Sequence, residues 1–265
     1  PQSGDGPYSA GSDICRNHYF PRFASSAAHQ QGLRWSFTES CAVYGAGLTP
    51  GQIRYLALYQ MVCGISIYNA MIVPYGRRGF PMGGGGERPL FIPEMPGYGD
   101  LFHLNACISR YSYLMSLGRP AVDSALYLPF RDLWAGGERA RQAAELSDCV
   151  AYALERLQCS FDIVDDDVLA QAEIRDGALE VGGARYRTLY IPGNRHMSAE
   201  AADALRRFAH CGGHAVWVKG ETEVAAPTGV RPIGIGELCS CARPVLRADR
   251  SEIRALKRTA AGASI

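Results

Sequence analysis

The sequence predicts an α/β protein with two successive parallel-sheet domains, and three observations carry that expectation. Helix-length and strand-length apolar segments alternate along the 265 residues, the rhythm of parallel strands joined by helical crossovers. Helix ends carry the residues that their backbones need, such as Thr49-Pro50 ahead of one helix and Gly32 after another. Apolar residues make up 47% of the chain, enough to bury a sizeable core.

Taken in order, Pro21 to Gln31 presents Phe23, Ala24, Ala27 and Ala28 as a helical face that Gly32 ends. Leu33 to Thr38 reads as a strand ending at Glu39, and Ser40 to Gly47 as a loop. A helix follows from Pro50 to Cys63, and after Gly64 the β-branched run through Val73 reads as a buried strand. Pro74 to Gly99 is dominated by Gly and Pro and reads as a long excursion. The helix from Phe102 to Leu117 is expected to close on Gly118 at its C′ position, with Pro120 just beyond.

A domain boundary is expected there, dividing residues 1–118 from 119–265. The second half reads as strand Ala121 to Leu128, a loop through Pro129 and Trp134, helix Glu138 to Leu157 and strand Phe161 to Val164. Asp166 to Ala172 reads as a short helix, with Asp165 to Asp167 as its solvated acidic start. A hairpin pairs Ala178 to Val181 with Arg185 and Tyr186 across Gly182-Gly183. Strand Thr188 to Ile191, a helix from Ser198 to His210 and strand Ala215 to Val218 complete a small open parallel sheet of the flavodoxin-like kind.

Composition removes several classes of function. Lys and Arg total 27 against 26 Asp and Glu, leaving no cationic excess for a polyanion, so nucleic acid is not an expected partner. No stretch approaches the roughly 20 apolar residues of a membrane span. Nine dispersed cysteines, several inside apolar segments, suit a reducing compartment, and a cytoplasmic location is expected. No Cys or His spacing supports a structural zinc site. The non-Met start in loop-like sequence reads as a cut from something longer.

Glu39 is the leading catalytic candidate, because it stands at the carboxyl end of a predicted parallel strand, where α/β barrels gather their reactive groups. The competing reading is a solvated glutamate paired with Arg34. Glycoside hydrolysis needs two carboxyl groups. The second is sought in Glu94, held between Pro93 and Pro96 on the excursion, or in Asp13. Asn69, Tyr75 and Tyr44 carry amide and phenol groups suited to sugar hydroxyls. His29, on the alanine-rich helix, joins the substrate-binding set, although its setting also reads as that of a packed histidine.

The runs Phe23 to His29, Thr38-Glu39-Ser40, Gln60 to Asn69, Ser109 to Asp123 and Tyr186 to Pro192 together resemble the α-L-rhamnosidase-like glycoside hydrolases (family 106). The resemblance implies the C-terminal part of a (β/α)8 barrel followed by a flavodoxin-like (glutamine-amidotransferase-like) domain. It also implies cleavage of terminal sugars, most of all α-L-rhamnosides, by two-carboxylate chemistry, with Glu39 at a family catalytic position and calcium near the sugar. The partner would be an oligosaccharide or glycoside, a homo-oligomer is compatible, and such a fragment alone would be inactive. Two alternatives stand beside it. One is a β-galactosidase that joins a barrel to a flavodoxin-like trimerisation domain, and the other is a non-catalytic assembly module.

Overall fold

The computed structural model describes residues 19–41, 47–70, 91, 93, 95–220 and 225–238. They form mixed α/β structure with parallel sheets, in two compact units. The first comprises residues 1–120 with 181–184, and the second residues 121–180 with 185–265.

In the first unit, α1 (Arg22–Gln30), β1 (Phe37–Ser40), α2 (Pro50–Val62), β2 (Ile67–Ala70) and α3 (Leu101–Leu117) follow one another. α1 ends because Gly32 takes φ +65°, which lets Gly32 N–H bond to the His29 carbonyl and Leu33 N–H to that of Ala28. α2 begins in a capping box, Thr49 accepting from the Gln52 amide while Gln52 Oε1 accepts from the Thr49 amide at 2.9 Å. It ends as α1 does. Gly64 at φ +98° lets Ile65 N–H reach the Gln60 carbonyl at 3.0 Å.

α3 closes differently from expectation. Gly118 is extended, at φ −92°, so it supplies no left-handed cap, and the chain leaves the helix toward Pro120, which could not continue it. β1 and β2 pair in parallel, Phe37 opposite Ile67 and Glu39 opposite Asn69. Two buried serines clip their entry: Ser36 N–H donates to Ser66 Oγ at 2.9 Å, and Ser66 N–H to Ser36 Oγ at 3.1 Å. Ile53, Ala57 and Met61 of α2 and Leu104 and Ile108 of α3 pack with Tyr68 and Cys41 against one face of this pair.

The second unit contains β3 (Ser124–Tyr127), α4 (Phe130–Ala135), α5 (Gly137–Arg156), β4 (Asp162–Val164) and α6 (Asp166–Gln171). Then come β5 (Glu173–Arg175), β6 (Ala178–Val181), β7 (Ala184–Tyr186), β8 (Thr188–Pro192), α7 (Ala199–His210), β9 (His214–Val218) and β10 (Arg231–Ile233). β10, β9, β8, β3 and β4 lie side by side in that order, every pairing parallel. Because β3 leads outward to β4 while β8 leads the other way to β9, right-handed crossovers put α5 and α7 on opposite faces. β5, β6 and β7 form a separate three-stranded sheet.

Three features depart from the sequence reading. A helix, α4, occupies the expected loop before α5, and β5 extends the expected hairpin. Asp166 is buried at 7% exposure instead of solvated. Its carboxylate accepts from Ser198 N–H at 2.9 Å and Arg131 Nε at 2.9 Å, tying together the loops that leave β3, β4 and β8. Asp165 is the N-cap, accepting from Val168 N–H at 2.9 Å.

Gly64→Ala tests the first unit's helix-to-strand turn, since its Cβ would lie 2.8 Å from Ser25 Cβ at a left-handed backbone. Urea unfolding is expected to show a loss of about 1–3 kcal/mol. Gly118→Ala, with nothing within 4 Å of the added carbon, is expected to stay within about 0.5 kcal/mol.

Candidate functional site

Successive side chains of a strand point to opposite faces, and this alternation decides what Glu39 can do. Thr38 and Ser40 turn toward α2, where Ser40 Oγ donates to Gln60 Oε1 at 2.9 Å. Glu39 therefore points the other way. Asn69 does the same on β2, since Tyr68 packs into the helix-side core. Cα register pairs Glu39 with Asn69, so carboxylate and amide stand side by side at the carboxyl ends of adjacent parallel strands, on the face the helices leave open.

Phe37 and Ile67 lie one step back on that same open face, 54% and 38% exposed. They form an apolar floor behind the polar pair. Glu39 lies inside β1, not after it as the sequence suggested, and the pleat fixes its direction. The alternative pairing with Arg34 does not occur. Arg34 Nε donates to the Ser116 carbonyl at 2.9 Å and its guanidinium stacks on Trp35 at 5.0 Å. Among the described residues Glu39 has no hydrogen-bond partner.

The turn behind Glu39 is held from the helix side. Cys41 adopts φ +67°, a left-handed conformation that is costly for any residue with a Cβ. Its thiol lies 2.9 Å from Tyr68 Oη. Burial pushes the Cys41 thiol above its ordinary range, and the Tyr68 hydrogen bond works against that shift. Burial, and then the neighbouring Cys41, push the Tyr68 phenol well up, so it stays protonated. Neither Cys41 nor Gln60 stood out in the sequence, because their partners, Tyr68 and Ser40, reach them only in the folded chain.

His29 is not brought to this site. It lies in the last turn of α1, with its ring 3.2 Å from the carbon that a side chain on Gly64 would add. Gly64 precedes β2, so His29 lies at the amino-terminal end of the strands, opposite Glu39, where it packs. Glu94, Tyr75, Tyr44 and Asp13 fall outside the described residues. Among the described residues no cluster of three His, Cys, Asp or Glu side chains could hold a metal. No helix among the described residues is long and apolar enough to cross a membrane.

No protein-family model matches the chain, and no curated protein matches it. Among solved structures it is similar to a cold-adapted β-galactosidase from Rahnella sp. R3, with a TM-score of 0.50 and 12% identity. That likeness covers 83% of this chain and 33% of the other. At this identity it is a likeness of fold, a glycosidase-like one, and this chain spans about a third of its neighbour.

The cysteines give a direct check on the helix-side packing. Burial, with the charge of Asp123, pushes the Cys159 thiol up to about 11, and Cys41 is also raised, so both stay protonated near about pH 8 and react slowly. Alkylation followed by peptide mass spectrometry is expected to label exposed Cys149 and Cys211 well before Cys41 and Cys159. Equal labelling would contradict the packing described.

Proposed function

We propose that this chain supplies the closing strands of a glycoside hydrolase barrel followed by a flavodoxin-like domain, with Glu39 as one of two catalytic carboxylates. The observation that carries this is the Glu39–Asn69 pair, in register at the carboxyl ends of two parallel strands and facing away from their helices. In an α/β barrel that face is the lumen and that end is the mouth where substrate binds. Exposed Phe37 and Ile67 are what an inward-facing barrel layer contains before its other strands cover it. The strand order of the second unit, 2-1-3-4-5 in chain sequence, supports the flavodoxin-like reading.

In this reading the Asn69 amide orients a sugar hydroxyl beside the glycosidic bond. Glu39 attacks the anomeric carbon or activates water, and a second carboxyl group protonates the leaving oxygen. Glu94 is the proposed second group. Tyr75 and Tyr44 are proposed for the same mouth, and a glycoside is the proposed partner. The fold likeness to a β-galactosidase favours a β-galactoside over the α-L-rhamnoside that the sequence resemblance implies.

The test is hydrolysis of aryl β-D-galactopyranoside and aryl α-L-rhamnopyranoside by the protein at its full natural length, with Glu39→Gln alongside. The variant keeps the shape and loses the charge, so kcat is expected to fall about 10²–10⁴-fold. Unchanged kcat in a folded variant would refute the role of Glu39. Cleavage of the rhamnoside alone would reverse the choice of sugar.

Ser40→Ala removes the hydrogen bond to Gln60 that holds the strand end without touching substrate. Its expected effect is roughly a tenfold loss in kcat with little change in KM, because a small misalignment of the carboxylate weakens the transition state more than the ground state.

A further inference from the structure

The second unit carries a cavity that the proposed glycosidase chemistry does not use. It measures about 350 Å³ and lies between α5 and the loops leaving β8 and β9. β3 and β8 are neighbours whose connections depart to opposite sides, and open parallel sheets bind ligands in the crevice at such a switch point. The cavity sits beside it: Asp132, from the helix after β3, accepts from Arg195 N–H at 2.9 Å and thereby holds the loop after β8.

Charge within the cavity is one-sided once its existing pairs are counted. Arg139, Arg195 and Lys219 line it together with Asp132 and Glu145. The Asp132 carboxylate is taken up by the Arg195 amide and by His196 Nδ1 at 2.5 Å. Glu145 is held by Arg141 at 2.6 Å. Among the described residues none of the side chains of Arg139, Arg195 and Lys219 has a carboxylate partner. Three cations therefore face a space whose acids are already engaged.

A second, independent feature points to the same ligand. Trp217 is 3% exposed, yet its indole Nε1 has no hydrogen-bond partner among the described residues. A buried donor left so carries its full desolvation penalty until an acceptor meets it. It is aimed at Gly193, which lines the cavity. A Cβ added to Gly193 would sit 3.2 Å from the Val218 carbonyl oxygen, 3.4 Å from Trp217 Nε1 and 3.6 Å from the Gly220 amide nitrogen. Gly193 has no left-handed φ that would demand glycine. Its missing side chain instead leaves open a point with one carbonyl oxygen and two nitrogens around it, a setting for a ligand hydroxyl, which donates to the first and accepts from an N–H.

We propose that this cavity binds a small organic oxyanion, a phosphomonoester or carboxylate of monosaccharide size. A hydroxyl of the ligand would sit in the notch at Gly193 between Trp217 Nε1 and the Val218 carbonyl, the anionic group would be balanced by Arg139, Arg195 and Lys219, and the body would rest on Ala143 and Leu146. The binding is independent of hydrolysis at Glu39 and would stand if that reading fell.

Calorimetric titration of the full chain with glucose 6-phosphate, glucuronate and uncharged glucose tests it. At least one anionic probe is expected to bind while glucose gives no heat; a response to phosphate alone or to both anions defines the head group. The exposed pair Arg195→Gln and Lys219→Gln is expected to weaken binding at least tenfold with unchanged thermal unfolding. Gly193→Ala, which fills the notch, is expected to do the same, and in a Trp35→Phe, Trp134→Phe background the anion is expected to shift Trp217 fluorescence. Flat titrations with both anions would overturn the proposal. So would equal affinity in the double variant and Gly193→Ala, which would mean only non-specific attraction to surface cations.

Discussion

Parallel pairing is the constraint on which this structure depends. Two parallel neighbours cannot be joined by a tight turn, so each connection must cross back over the sheet, and from β1 to β2, β3 to β4 and β8 to β9 it does so through helices. Every strand then delivers its carboxyl end to the same edge. β1 and β2 bring Glu39 and Asn69 together in this way, and within the second unit β3, β4 and β8 bring Asp132, Asp166 and the segment Gly193 to Ser198 into one polar edge. Segments distant along the chain become neighbours without any local signal for it.

The first unit shows how the strand faces are chosen against ordinary patterning. From Leu33 to Thr38 apolar and polar residues alternate strictly, and a half-buried strand would turn Leu33, Trp35 and Phe37 toward its core. They are exposed instead, at 57%, 47% and 54%, while Ser36 and Ser40 turn inward. The serines earn that orientation through specific bonds: Ser36 and Ser66 satisfy each other's backbone, and Ser40 reaches Gln60.

Local chemistry made much of the helical framework readable. Gly32 and Gly64 announced the ends of α1 and α2 because a left-handed residue is needed there, and Thr49 with Gln52 announced the start of α2. Where the deciding interaction was distant, the reading slipped. The triple aspartate looked solvated, yet Asp166 finds Ser198 and Arg131 only in the folded chain. Gly118 carried the right residue type for a left-handed cap, but the chain leaves α3 extended toward Pro120. His29 shared a helix with the run that precedes β1, and only the turn at Gly64 revealed that it belongs to the far end of the strands.

By itself the sequence determined the class of the fold and most of its helices, because helical period, caps and β-branched runs are short-range properties written in neighbouring residues. It also singled out Glu39, by its position at a strand end. Only the tertiary structure decided which face Glu39 points to, that Asn69 stands beside it, and that Arg34 is engaged elsewhere. The same holds for the cavity edged by Gly193 and Lys219. These depend on register and on pairing between distant segments, and a one-residue slip in register would turn every side chain of a strand to the opposite face.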